Sequence, residues 1–342
     1  MIAVQSRVTV RVAEASDALR WDSFLDEQAA GWPLARFRWS AFLRDTFGAT
    51  PYFLMVEDSS HGIAGVLAAY AAESGGQRMV YSMSRGLVAR DPETQSLLLA
   101  EAERLATRLA AGCMLSLRTP PGGNYEVKEK ASVALTLERT VEDTWGALRA
   151  KTRNMIRKAD RAGVSIERGF HNLRVFYEVY ARRMLEVGVP IQRVGVLRQI
   201  EAFFADRAEL MVARVGTEVV GGILTIFGSR SAVYPLQATA TAHMDSAATQ
   251  RLVWEAATIC IQRGISSLDM GESRIGSPVY QSKVNFGGAA ETVYDCSVRA
   301  QPHARRFSSL LERPAWLALR SPFLAVRRPA GLWLGTRRRL AF

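Results

Sequence analysis

Residues 54–67 read LMVEDSSHGIAGVL, and residues 210–224 read LMVARVGTEVVGGIL. In each stretch two apolar, β-rich runs flank a polar turn, which is the pattern of a β-hairpin. The Leu-Met-Val runs begin 156 residues apart, at Leu54 and Leu210, and the Gly-x-Leu runs 157 apart, at Gly65 and Gly222. The succeeding patterns repeat as well. Each hairpin continues into another strand pattern, QRMVYSMS (77–84) and SAVYPLQATA (231–240), and then into a helical pattern closed by glycine, DPETQSLLLAEAERLATRLAAG (91–112) and SAATQRLVWEAATICIQRG (246–264). A strand comes next in both copies, MLSLRT and ISSLDMG. One α/β unit is thus written twice, predicting a first domain over residues 1–140 and a second over 141–300. The boundary falls near Thr140–Trp145, after the strand pattern SVALTLE (132–138). The two units are expected to superpose with a cleft between them.

Composition agrees with a protein large enough for two cores: 342 residues, 48% hydrophobic and 23% charged. Cys113, Cys260 and Cys296 stand far apart, as do His61, His171, His243 and His303, so neither a zinc site nor a disulfide framework is indicated. A reducing, cytoplasmic compartment fits best. The N-terminus lacks the apolar core of a signal peptide, and no run approaches the ~20 apolar residues of a membrane span.

The formal charge of +11 is unevenly placed. Residues 301–342 hold nine arginines against one acid, Glu312, a net +8, which leaves +3 for residues 1–300. There Arg306, Arg313, Arg320 and Arg327 recur every seventh residue between Pro314, Pro322 and Pro329, giving short basic amphipathic helical segments. Such a tail suits the surface of an anionic inner membrane, making the protein peripheral there, or an RNA backbone; it equally suits packing on the domain with its arginines in water. A second basic feature lies in VEDTWGALRAKTRNMIRKADRAG (141–163). Read as one helix, it carries Arg149, Arg153, Arg157 and Arg161 at four-residue steps along one side, flanked by Lys151 and Lys158. Like charges in such a row repel, so acids elsewhere or an anionic partner must offset them. The plain alternative is a solvated face.

Read as one glycine-rich loop, DMGESRIGSPVYQSKVNFGGAA (269–290) concentrates acids, an arginine, a tyrosine, a lysine and four glycines near the end of the second unit. Together with the duplicated unit and RNMIRKADRAGV (153–164), it resembles the Fem family of aminoacyl-tRNA-dependent transferases and their relatives among the GNAT-type acyltransferases. In that family a strand ending Asp-x-Gly-x-Ser precedes a tyrosine, a lysine and a glycine-containing strand. Here these are Asp269, Gly271, Ser273, Tyr280, Lys283 and Gly287-Gly288. The resemblance spans roughly residues 5–300. This chain departs from it at Ser282, where an aromatic residue is frequent, and in SMSRGLVARD (82–91), where a Gly-Gly segment is common. The long coiled-coil arm of some members is also missing: between Phe170 and Glu209 there is room for two ordinary helices.

The resemblance implies two tandem GNAT-like domains, each a mixed β-sheet flanked by helices, and a transferase that forms an amide bond. It assigns Lys283 to stabilising the oxyanion and the leaving ribose oxygen. Tyr280 stands beside it, and Asp269, with Glu272 as rival, is the candidate to take a proton from the attacking ammonium or hold it in place. The plain alternatives are a turn cap for Asp269 and a surface lysine for Lys283. Candidate substrate contacts are Glu272, Ser273 and Gln237, with Arg149, Arg153, Arg157, Arg161 and Lys158 on the arginine stripe. Such chemistry needs an amine acceptor, a cell-wall precursor or a small metabolite, and no metal or redox cofactor. The donor expected is aminoacyl-tRNA, because a coenzyme A enzyme sets a glycine-bearing pyrophosphate loop before its helix, whereas TAHMDSAATQR (241–251) has no glycine. Two alternatives stay open: N-acyl transfer from acyl-coenzyme A or an acyl carrier protein in envelope polysaccharide synthesis, and a non-catalytic RNA- or membrane-binding protein.

Overall fold

A computed structural model describes residues 9–58, 61–74, 77–123 and 125–298; the basic tail expected over 301–342 lies outside the described residues. The first half opens with β1 (Thr9–Val12), α1 (Ala18–Gln28) and α2 (Trp39–Phe47). It continues through β2 (Thr50–Glu57), β3 (Ile63–Ser74), β4 (Gln77–Ala89), α3 (Pro92–Arg108) and β5 (Gly112–Leu117). After β6 (Tyr125–Thr136), α4 (Val141–Ala147) and α5 (Ala150–Arg161), the same order returns. It runs as β7 (Val164–Arg168), α6 (Leu173–Glu186), α7 (Val194–Phe204), β8 (Ala208–Val215), β9 (Glu218–Phe227), β10 (Ser231–Thr239), α8 (Ala248–Gln262) and β11 (Ser267–Ser273). The last elements are α9 (Pro278–Phe286) and β12 (Ala289–Val298).

The repeated hairpins are β2–β3 and β8–β9, and their registers correspond: Leu54 faces Leu67 in one, Leu210 faces Leu224 in the other. Both hairpins are buried on two faces, which is why their apolar runs are nearly continuous rather than alternating. The fourth and fifth strands of each unit meet in parallel for three residues only. Met79–Tyr81 pairs with Gly112–Met114, and Ser231–Val233 with Ser267–Asp269. Beyond these pairs the strands part, opening a wedge in each half of the sheet.

All twelve described strands join one sheet, in the order β1-β2-β3-β4-β5-β12-β6-β11-β10-β9-β8-β7. The halves exchange their last strands. β6 leaves the first unit to pair with β11, β12 returns to pair with β5, and the two lie antiparallel from Ala289↔Ala134 to Val298↔Tyr125. The two units are therefore joined through one continuous sheet, where the sequence had suggested two bodies with a cleft. A cut near residue 140 separates them in sequence but not in space.

Three cores result from this layout. On one face, α1 and α2 of the first half and α6 and α7 of the second share a single apolar cluster. Its seam is aromatic: Trp39 lies 4.4 Å from Phe204 between ring centroids, and Phe42 5.6 Å from both Phe203 and Phe204. Each such pair adds about 0.5–1.5 kcal/mol beyond the area it buries. On the other face α3 covers the first half, while α5 and α8 cover the second.

Because each half borrows a strand from the other, neither is expected to fold alone. Residues 1–140, expressed by themselves, should give no cooperative thermal transition, and co-expression with residues 141–342 should restore one. A soluble 1–140 fragment that melts cooperatively would contradict the exchange.

Candidate active site

Along β11, Leu268 and Met270 enter the core beneath α8, so the strand's period of two turns Asp269 to the opposite face. There it meets Arg85 from β4. Three strands, β5, β12 and β6, separate β4 from β11 in the sheet, yet Arg85 Nη2 donates to Asp269 Oδ2 at 2.6 Å and Ser84 Oγ to Glu272 Oε1 at 2.5 Å. The sheet must curl for these contacts to form, and the turn at Pro33–Ala35 touches both β4 and β10 across the mouth of the curl.

Two irregularities deliver the side chains. Between Leu67↔Leu87 and Ala69↔Ser82, β4 carries three more residues than β3, and within this bulge Arg85 takes a left-handed φ of +50°. Gly86 is required there, since a Cβ would stand 2.9 Å from the Met83 carbonyl oxygen. Trp32 braces the bulge: its Nε1 donates to the Ser84 carbonyl at 2.8 Å, and the Arg85 guanidinium lies 3.5 Å from the centroid of its ring. In β11 one extra residue sits between Asp269 and Glu272 relative to β6, with Gly271 at φ +78°.

Asp269 is a fully engaged carboxylate. Oδ2 accepts from Arg85 and from Ser132 Oγ (2.7 Å), Oδ1 accepts from Gly271 N–H (2.6 Å), and both members of the ion pair are 4% exposed. Lys283 projects from α9, which starts at Ser277 and Pro278 with the Ser277 hydroxyl accepting from Tyr280 N–H and ends at Gly287. The lysine expected in a glycine-rich loop is thus held on a short helix between two glycine-containing segments. Its ammonium donates to the Gly271 carbonyl and to Ser273 Oγ, both at 2.8 Å. Burial pushes Lys283 down from 10.5 to about 8, against the opposing pull of Asp269 and Glu272. Glu272 is partly buried, and the desolvation alone would raise it, but Lys130 at 2.5 Å holds it below the usual carboxylate range. Lys130 in turn bridges to Asp295 at 2.8 Å.

Of the residues picked out by sequence, Asp269, Glu272, Ser273 and Lys283 come together. Tyr280 packs half-buried against the core beside them. Gln237 lies on β10, across the wedge from β11, where its amide donates to Thr239 and Thr249. The arginine stripe is divided. Extended backbone at Leu148 and Arg149 breaks the expected single helix into α4 and α5, making Arg149 the cap residue of α5. Arg153 turns back to donate to the carbonyls of Trp145, Gly146 and Leu148, closing the end of α4. Arg149, Arg157, Lys158 and Arg161 are exposed, with Arg157 5.4 Å from the centroid of the Trp145 ring. The residues that sequence reasoning missed are Ser84, Arg85, Lys130 and Ser132. The one signal for them is Arg85-Gly86 inside a strand pattern, where glycine marks a bulge.

Residues 146–282 match the family described as acetyltransferase (GNAT) domain. The solved structure of FemX superposes with a TM-score of 0.69 at 13% identity, covering 89% of this chain and all of that one. The C-terminal domain of a putative lysylphosphatidylglycerol synthetase from Agrobacterium fabrum gives 0.56 at 13% identity, over 87% of this chain and 98% of that one. A tandem GNAT protein from the clavulanic acid pathway gives 0.53 at 14%, over 85% and 98%. No curated protein matches the chain in sequence. Residues 146–282 thus match a GNAT domain, and the chain as a whole has the fold seen in FemX and the tandem GNAT protein.

Burial of Lys283 makes stability depend on pH. Its folded pKa lies below its unfolded one, so the unfolded chain binds more protons between about pH 8 and 10.5; stability is present above that window and lost as pH falls through about 8. Relative to Lys283→Met, wild type should gain on the order of 3 kcal/mol in unfolding free energy across this window. Parallel denaturant titrations with no change in the difference would show that the ammonium is solvated.

Proposed function

We propose that the protein forms an amide bond by moving an aminoacyl group from aminoacyl-tRNA to an amine acceptor. The observation that carries this is Lys283: a buried ammonium at the wedge between β10 and β11, aimed by the Gly271 carbonyl and Ser273, with Glu272 beside it. In the reaction the acceptor's neutral amine attacks the ester carbonyl, and its C–N bond forms as the carbonyl electrons move to oxygen. Lys283 stabilises that oxyanion and then the ribose oxygen as the C–O bond breaks. Glu272, less enclosed than Asp269 although Ser84 and Lys130 engage both its oxygens, faces the acceptor and holds its ammonium. One proton leaves to water before attack, and the proton that nitrogen sheds after attack goes to the departing ribose oxygen. Asp269, with both oxygens engaged, positions Gly271 and through it Lys283.

The tRNA donor is supported by the entry to α8. Thr241–Ser246 form a 3-10 turn without glycine, Ala247 has φ +58°, and Ser246 Oγ already accepts from Ala248 N–H at 3.3 Å. Bare amides for a coenzyme A pyrophosphate are thus not laid out as a glycine loop would lay them. Exposed Arg149, Arg157, Lys158 and Arg161 offer phosphate contacts on the same half of the molecule. The likeness to FemX, at 0.69, agrees.

The direct test supplies charged tRNA and acyl-coenzyme A in parallel, each with a panel of amines, and monitors which donor is consumed. Consumption of acyl-coenzyme A alone would replace the tRNA donor; consumption of neither would leave an RNA- or membrane-binding role. In single-turnover transfer with donor bound, Lys283→Met should be slower by about 10²–10³ and Tyr280→Phe by less. The rate should fall above about pH 8 as Lys283 loses its proton, and Lys283→Arg, partly active, should lack that fall. Lys283→Met transferring at the wild-type rate but binding donor poorly would make the residue a donor contact. Arg157→Glu with Arg161→Glu should weaken tRNA binding and reduce its log–log salt slope by roughly 1.5; an unchanged slope would return the stripe to a solvated face.

A further inference from the structure

Within the curl a second arginine stands near Arg85. Leu115 and Leu117 of β5 enter the core under α3, so Ser116 faces the inside of the curl, where its hydroxyl accepts from Arg85 N–H at 3.4 Å. Arg118 continues that alternation. The charge of Arg85 is spent on Asp269 at 2.6 Å, but among the described residues the one acid within 4 Å of Arg118 is Glu291, 3.9 Å from its Nε. Glu291 also lies 3.8 Å from Arg85 Nη1. Two guanidiniums therefore flank one half-exposed carboxylate that reaches neither within hydrogen-bond distance. Arg85 Nε, buried, has no hydrogen-bond partner among the described residues. Arg118 keeps 44% of its side chain exposed, and partial desolvation together with the neighbouring Arg85 holds it below the usual arginine range.

We propose that Arg118 and Arg85 form a subsite for a carboxylate on the acceptor, so that the acceptor is an amine that also carries a carboxylate, as an amino acid or a peptide does. The assignment to an acceptor rests on the acyl-transfer proposal above. An arginine fork left without a bidentate partner matches a planar carboxylate. Glu291 occupies the neighbourhood at a distance that leaves the fork unfilled, and an incoming carboxylate displaces it toward solvent. Glu291 and Asp269 stand against the two guanidiniums, and Glu272 and Asp295 are bridged by Lys130, which disfavours a dianionic phosphate and favours a single negative charge. Glu291 links Arg118 to Arg85, and Asp269 and Gly271 link Arg85 to Lys283, so the carboxylate end and the reacting end share one wall. Glu272, on the reacting side, complements the amine.

The test is an equilibrium titration of the full chain with N-acetylalanine, which carries the new amide and the free carboxylate, against N-acetylalaninamide, which lacks the charge. Wild type should prefer the acid at least about tenfold. Arg118→Gln should remove that preference while leaving the amide's affinity alone, and Arg118→Lys should keep part of it. Glu291→Gln, by removing the internal competitor, should tighten the acid. Equal binding of acid and amide, a preference that survives Arg118→Gln, or inorganic phosphate binding as tightly as N-acetylalanine would each overturn the subsite. The titration contains no donor and no turnover, so it is independent of the donor assay. A protein that consumes neither donor but keeps the preference retains the subsite and loses its assignment to an acceptor.

Discussion

The buried ion pair between Arg85 and Asp269 is the contact on which the centre of the molecule depends. Desolvating two charges costs several kcal/mol per ion, and the pair is tolerated only where the remaining valences are filled. Here Ser132 and the Gly271 amide complete Asp269 and Trp32 covers the face of Arg85. The carboxylate is thus fully satisfied, and of the pair's buried polar atoms Arg85 Nε alone is left without a partner among the described residues. Such an arrangement ties β4 of the first half to β11 of the second across three intervening strands. It also fixes the bulge that presents the Gly271 carbonyl to Lys283. The chemistry of the second half is thus built partly by the first.

The repeat is symmetric in its strands and asymmetric in its site. By the parallel registers, Met114 occupies in the first half the place that Asp269 occupies in the second, since each is the third residue paired with its neighbour strand. An apolar residue there joins the shared core. After β5 comes RTPPGG (118–123), and no helix corresponding to α9 stands between it and β6 among the described residues. The first unit therefore has a wedge but nothing equivalent to Lys283. What it contributes instead is Arg85, Ser84 and, through the exchanged β6, Lys130 and Ser132.

Hairpins, helices and their order were legible because they depend on local pattern: Leu54 and Leu210 start runs whose partners, Leu67 and Leu224, lie on the other arm of a short hairpin. The cap at Ser277-Pro278 and the stop at Gly287 were present in the sequence too, yet the abundance of glycine there pointed to a loop, and the nine-residue α9 went unseen. Strand exchange was not legible, because β6 carries the same apolar alternation whichever sheet edge receives it. Nor was the partner of Asp269. Arg85 is 184 residues away, and only the curl of the sheet, a property of all its central strands, brings them together. The even spacing of Arg149, Arg153, Arg157 and Arg161 misled in one respect: a backbone break at Leu148–Arg149 turned Arg153 into a cap for the preceding helix.

If the site is shared between the halves through this ion pair, Arg85 and Asp269 must be energetically coupled. A double-mutant cycle of Arg85→Met and Asp269→Leu, read in unfolding free energy and in single-turnover transfer, measures that coupling directly. Either substitution alone strands a buried charge and should destabilise by about 3–5 kcal/mol, while the pair together should recover stability, giving a coupling of about 2 kcal/mol or more. Transfer should remain slow in all three variants, because the bulge that aims Lys283 has lost its anchor. Additive losses of stability, or wild-type transfer by the double variant, would contradict a site held together across the two halves.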